Sequence, residues 1–108
     1  MPKVFINNRV DPKWQPIIEA KLHIMLGSMF VNVSRIDVEL DRLPDRRNRQ
    51  ETYTFCLVVT DGNGARYEQR NDQPDANLAI EGAIARLRRA ITRAKRGRGP
   101  GWSQASGQ

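Results

Sequence analysis

The chain has 108 residues and carries 18 Lys and Arg against 12 Asp and Glu, for a net charge of +6. This length fits one domain, and the positive charge favours a polyanionic partner such as nucleic acid. No apolar run approaches the roughly 20 residues needed to cross a bilayer, and none near Met1 is typical of a signal peptide. We therefore expect a cytoplasmic protein that does not contact a membrane.

The first half of the chain predicts a strand and then a helix. Lys3–Asn8 has the composition of a short strand. Asp11-Pro12 marks a helix start, and because Pro16 is awkward in a regular turn, we expect the helix proper from Lys13 or Trp14. Its apolar residues recur at spacings of four and three, and Gly27-Ser28 is expected to end it. These apolar residues are Trp14, Ile18, Leu22, Met25 and Met29.

Three strands follow in the prediction. Ile36, Val38 and Leu40 alternate with charged residues, which indicates a strand with one wet face. Residues 43–50 are predicted as a polar loop, and residues 52–60 form the strongest strand pattern in the chain. The segment 61–64, with two glycines able to adopt positive φ, predicts a hairpin turn into a fourth strand at residues 65–70.

The last predicted element is a second helix that opens at Pro74-Asp75 and ends at Gly97. An apolar stripe recurs along it with helical spacing. The fold prediction is therefore α+β, in the order β-α-β-β-β-α, with a four-stranded sheet and two helices packed on one face. We assign this domain to residues 1–97 and expect residues 98–108 to be a flexible C-terminal tail. The stripe consists of Ile80, Ile84, Leu87, Ile91 and Ala94.

Charge is distributed unevenly along the chain. Residues 1–82 hold all twelve acids and eleven Lys and Arg, a balance of −1, whereas residues 83–108 hold seven Lys and Arg and no acid, a balance of +7. At about 100° per residue, four arginines of the second helix lie opposite its apolar stripe, with Arg88 and Lys95 on a flank. We call these four the basic ridge: Arg86, Arg89, Arg93 and Arg96.

The basic ridge predicts an RNA-binding surface. Guanidinium groups grip phosphate with paired hydrogen bonds and stack on bases. Acids at i,i+4 would be expected in a helix face made only for solubility, and the ridge has none. The alternative is a solvated face whose cations favour the helix dipole. Two further groups are candidate RNA contacts: the predicted loop with Arg46, Arg47 and Arg49, and the first helix with Lys21.

Catalysis and metal binding are poorly supported by the sequence. His23 is the only histidine and has no nucleophile nearby in the chain. Asp37, Glu39 and Asp41 share one predicted strand face, but pairing across the sheet with Arg66 or Arg70 explains them better than a metal. We therefore expect no catalytic residue, metal site, cofactor or small-molecule substrate.

Several segments resemble one known family. Residues 33–40 (VSRIDVEL), the strand and glycine hairpin YTFCLVVTDGNGARYE, and the helix DANLAIEGAIARLRRAITRAKR that starts at Asp75 are similar to the short ribosome hibernation-promoting and ribosome-associated inhibitor proteins, also called the sigma-54 modulation protein family. The resemblance extends from Val4 to Arg96. It implies the fold given above and an RNA-binding role for the basic ridge together with Arg88 and Lys95.

The resemblance also implies a partner and an activity. Members of this family occupy the decoding region of the small ribosomal subunit, mainly through basic helix residues against ribosomal RNA, and so block translation. The first helix of this chain is less basic than is usual in the family, since it offers only Lys13, Lys21 and His23. Two other classes stay open: a general double-stranded RNA-binding domain, and a protein-interaction module whose basic ridge meets an acidic partner.

Overall fold

A computed structural model describes residues 2–44 and 51–97, apart from the side chains after Lys95. The predicted loop arginines Arg46, Arg47 and Arg49 and the predicted tail, residues 98–108, therefore lie outside the described residues. The elements are β1 (Lys3–Asn8), α1 (Trp14–Leu26), a 3-10 helix (Gly27–Asn32), β2 (Val33–Pro44), β3 (Glu51–Asp61), β4 (Arg66–Gln73) and α2 (Ala76–Gly97).

The four strands form one mixed sheet in the order β1-β2-β3-β4. β1 runs parallel to β2, since α1 connects them, and β2, β3 and β4 pair antiparallel as a meander. The predicted fold class and order of elements are confirmed.

Local sequence signals set the bounds of α1. The Asp11 carboxylate accepts a hydrogen bond from the Lys13 backbone N–H (2.9 Å), and the helix begins at Trp14, as predicted. Its end also follows the prediction, because Gly27 takes φ +55°, a conformation that favours glycine.

Three strand and turn details differ from the prediction. β2 extends to Pro44 because Leu43 and Pro44 continue the register with Thr52 and Glu51 of β3. β4 spans Arg66–Gln73 rather than residues 65–70, because its polar end still pairs with β3. In the hairpin only Gly64 has positive φ (+88°), whereas the Gly62 N–H donates to the Asn32 carbonyl.

The core lies between the sheet and the two helices. The inward face of β2 and β3 is buried, and it forms one cluster with the apolar faces of α1 and α2. α2 packs on β3 and β4, α1 lies by β1, and the two helices contact each other. Neither of the two described helices packs on the opposite face of the sheet. The fully buried large side chains are Ile18, Leu22, Leu26, Ile36, Leu40, Phe55, Leu57, Val59, Ile80, Ile84 and Leu87.

Candidate nucleic-acid interface

α2 begins at a carboxylate cap. The Asp75 side chain accepts a hydrogen bond from the Asn77 backbone N–H (2.7 Å), and the Asp75 carbonyl accepts from the Ala79 N–H (3.0 Å). From there the sequence carries a continuous small and apolar stripe that packs against β3 and β4. This packing fixes the rotation of the helix about its axis, and with it the direction in which the remaining side chains point. The stripe residues buried in the core are Ala79, Ile80, Ala83, Ile84, Leu87 and Ile91.

The basic ridge lies on the solvent side of α2. Its three members with described side chains, Arg86, Arg89 and Arg93, are all exposed, as are Arg88 and Lys95 beside them. Arg86 and Arg93 are seven residues apart, which corresponds to about 10 Å along the helix axis. The ridge is therefore a linear array of guanidinium groups on a rigid scaffold.

None of these five cations pairs with an acid elsewhere in the described part of the chain. Ion pairs in that part (N–O within 4.0 Å) include no residue of α2 beyond Glu81. The guanidinium groups are thus available to an external anion. Their mutual repulsion on one helix face is a cost that a polyanion would relieve.

One part of this surface is a shallow cleft. It is lined by Arg88, Arg89, Thr92 and Arg93. These residues are neighbours on the helix surface because each lies three or four positions from another of them. The Thr92 hydroxyl donates to the Arg88 carbonyl (2.9 Å), which holds it flat against the helix between the arginines. Sequence reasoning did not single out Thr92, although its position four residues after Arg88 places it among the arginines.

The strand arginines on the open face of the sheet have acidic neighbours. Arg35 donates to Asp37 through Nε (2.8 Å) and Nη2 (3.0 Å), and Arg70 donates to Asp72 (3.2 Å). The hydrogen bond from Arg70 holds the pKa of the Asp72 carboxyl below its ordinary value, while the partner carboxylates raise the pKa of both arginines. The unpaired cations of α2 are therefore a distinct group.

The strand carboxylates are neutralised differently from the prediction. Asp37 pairs with Arg35 on its own strand, and Arg9 lies 3.6 Å from Glu39 and 4.0 Å from Asp41. Arg66 and Arg70 lie on β4, which β3 separates from β2, and pair with Glu68 and Asp72 instead. Within the described residues, no three His, Cys, Asp or Glu side chains are arranged to hold a metal ion.

The remaining candidate contacts with described side chains lie on α1 or at its start. Lys21 on α1 is half-buried and forms an ion pair with Glu81 on α2. Lys13 lies over the Trp14 ring, 5.5 Å from its centroid. The side chain of Arg96 and the loop with Arg46, Arg47 and Arg49 fall outside the described residues. No helix of the described residues is long and apolar enough to cross a membrane.

Two solved structures share this fold. A ribosomal subunit interface protein from Coxiella burnetii aligns with a TM-score of 0.71 at 12% identity, over 87% of this chain and 98% of its own. The N-terminal domain of Protein Y from Thermus thermophilus aligns with a TM-score of 0.62 at 14% identity, over 87% and 99%. No protein-family model and no curated protein sequence matches the chain. At such low identity the similarity shows a shared architecture, including the sheet with two helices on one face.

Proposed function

We propose that this protein binds the small ribosomal subunit through its ribosomal RNA and inhibits translation as a ribosome hibernation factor. The observation that carries the proposal is the described part of the basic ridge, where Arg86, Arg89 and Arg93 are exposed and no acid of the described chain neutralises them. Such a line matches the phosphate backbone of RNA, which supplies much of the affinity in protein–nucleic acid complexes.

The solved structures support the same class of partner. One of the two is named a ribosomal subunit interface protein, and it shares the fold over nearly its whole length. The sequence resemblance to hibernation factors, which rests on different information, leads to the same ribosomal target. We place the docking site in the decoding region of the small subunit, where an occupied channel would exclude messenger and transfer RNA.

The amino-acid composition of the interface favours RNA over an acidic protein as the partner. Arginine outnumbers lysine five to one between residues 86 and 96, and guanidinium can both bridge phosphate oxygens and stack on bases. A general double-stranded RNA-binding domain would use the same chemistry, but it would bind any RNA duplex of sufficient length. Selectivity for ribosomes over a free duplex therefore separates the two classes of RNA binder.

Sedimentation tests the proposal. Purified small subunits, large subunits and whole ribosomes are each mixed with the protein and separated on sucrose gradients, with and without excess duplex RNA as competitor. We expect co-sedimentation with the small subunit and whole ribosomes that duplex RNA does not displace, and inhibition of a purified translation system. Unimpaired translation at several-fold excess over ribosomes would contradict the proposal. Displacement by duplex RNA would instead indicate a general double-stranded RNA-binding domain.

A further inference from the structure

The face of the sheet opposite the helices has its own chemistry. On β2, β3 and β4 the register aligns Asp37, Val58 and Glu68 in one row across the strands, with Phe5 of β1 at its end. Both helices pack on the other side, so this row lies on the open face of the sheet. Phe5 is 47% exposed, and it is one of the few large hydrophobic side chains exposed on the described surface.

A groove of about 650 Å³ runs over this row. Its floor is apolar, because Phe5, the half-buried Val58 and the Cys56 side chain lie beneath it. Its charged lining residues are all carboxylates. They are Asp37, Glu39 and Glu68.

Of the three groove carboxylates, Glu68 is the least neutralised by the chain itself. Glu68 lies 4.0 Å from Arg66, and both side chains are about two-thirds exposed. Asp37 is held by Arg35, whose guanidinium also lies 4.3 Å from the centroid of the Phe5 ring at one end of the groove. The exposed contact between Arg66 and Glu68 contributes little, so an external cation can replace Arg66 there, whereas it would share Asp37 with Arg35.

We propose that this groove binds an extended, basic segment of a partner protein. Neighbouring strands are about 4.8 Å apart, so Asp37 and Glu68, two strands apart, stand about 10 Å apart with Val58 between them. The stem of a Lys or Arg side chain would lie on Val58 and Cys56, and its charged end would lie between the two carboxylates. The site therefore fits both the apolar stem and the charged end of a Lys or Arg side chain.

The next row of the sheet indicates which residue the partner segment should carry beside the bound cation. Glu39, Cys56 and Arg70 are aligned one row away, so Arg70 stands where the first row has an acid. An extended segment presents alternate residues on one face about 7 Å apart, which matches the spacing of the rows. The residue two positions from the bound cation is therefore expected to be uncharged or acidic.

Two other occupants of the groove are RNA and a second copy of the chain. Phosphate is repelled by its three carboxylates, so RNA is expected on α2 and not here. The α2 arginines of a second copy stand about 6 Å apart along the helix axis, close to the row spacing, so a second copy is an alternative occupant that the test below separates from a peptide. We accordingly assign the helix side of the domain to RNA and the open side to a basic polypeptide.

Peptide titration monitored by backbone amide NMR tests this assignment in the full chain. The probe is Gly-Arg-Gly-Leu-Gly blocked at both ends, and the control peptide has Glu in place of Arg. We expect shift changes centred on Asp37, Val58 and Glu68 with the first peptide alone. Either Asp37→Asn or Glu68→Gln should weaken binding roughly twofold to fivefold, as for one exposed ion pair. Both substitutions are nearly isosteric at exposed positions, and the spectrum itself reports whether each variant is folded.

Matched variants keep this inference separate from the ribosomal proposal. A variant with Arg89→Glu and Arg93→Glu should bind the arginine peptide as the original chain does, whatever its effect on ribosome binding. The assignment is wrong if the arginine peptide gives no shift changes, if the Glu peptide gives the same ones, or if the changes map to α2. A dimer that forms through the open face and excludes the peptide would also overturn it.

Discussion

The Lys21 ammonium of α1 lies 2.5 Å from Oε2 of Glu81 on α2, so an ion pair joins the two helices above the core. Glu81 also accepts a weak hydrogen bond from the Asn77 side chain (3.4 Å). One of the lysines predicted to bind RNA therefore already has an anionic partner inside the fold.

This pairing leads to a prediction for Lys21→Ala. Because both side chains are partly exposed, the substitution should lower the free energy of unfolding by about 1 kcal/mol or less. RNA affinity should change little, since Lys21 is engaged by Glu81. Urea unfolding and ribosome binding are measured for this variant, for Glu81→Gln and for the double variant. A large loss of binding without a loss of stability would show that Lys21 contacts RNA directly.

Substitutions at Leu87 and Arg88 distinguish residues that stabilise the fold from residues at the interface. It is fully buried between α2 and the sheet, so Leu87→Ala should cost about 2–5 kcal/mol through the cavity that it leaves. Its exposed neighbour Arg88 serves as the control, and Arg88→Ala should change stability by less than about 0.5 kcal/mol. Denaturant titration gives both values. Equal losses of stability in the two variants would contradict the assignment of Leu87 to the buried face of α2 and of Arg88 to the exposed face.

Gly82 marks a close approach of α2 to β4. A Cβ atom at this position would meet the side-chain amide of buried Asn71, which donates to the Leu78 and Ala79 carbonyls (both 3.2 Å). Gly82→Ala should therefore destabilise the fold by about 1–3 kcal/mol despite the higher helix propensity of alanine. Thermal unfolding measures the effect, with Ala85→Gly as a helix-propensity control. A stabilised Gly82→Ala variant would contradict the described packing.

Cys56 is expected to react slowly with thiol reagents. Burial raises the pKa of its thiol, the effect of Arg70 opposes this, and Glu39, Asp72 and Glu68 add to the rise. A raised pKa lowers the fraction of thiolate, which is the reactive form, at any pH below it. The rate of alkylation by iodoacetamide at pH 8 should therefore be lower in the folded chain than in urea. Equal rates would show that neither burial nor charge protects the thiol.

The sequence predicted the architecture because α2 and β2 carry strong periodicity and β3 is rich in residues that favour strands. The stripe from Ile80 to Ile91 fixed the buried face of α2, and the exposed positions of Arg86, Arg89 and Arg93 follow from it. The order of the meander followed from short connections. The exact strand ends did not, because the pairing of Pro44 with Glu51 and of Gln73 with Tyr53 depends on neighbouring backbone and not on side-chain pattern.

Tertiary partners were harder to predict than elements. Nothing in the local sequence brings Lys21 to Glu81, sixty residues later, and the pair exists because α1 and α2 pack side by side. Likewise, Arg9 lies just after β1 in the chain, yet it meets Glu39 because β1 runs parallel to β2. The groove over Val58 was missed for the same reason, since its lining comes from all four strands.

The central claim is that the basic ridge holds the protein on ribosomal RNA, and reversal of its charge tests that claim. Arg89→Glu with Arg93→Glu should leave the fold intact, because both residues are exposed and lie opposite the core. For every phosphate that the variant no longer neutralises, the slope of log affinity against log salt should fall by about 0.7–0.9. The matched control is Lys3→Glu with Arg66→Glu, which makes the same change in net charge on exposed residues of the sheet.

The most direct measurement is the fraction of each folded variant that co-sediments with purified small ribosomal subunits at physiological salt. The ridge reversal should abolish co-sedimentation, and the control should retain it. Binding by the folded ridge variant equal to that of the original chain, or equal losses in both variants, would contradict the account.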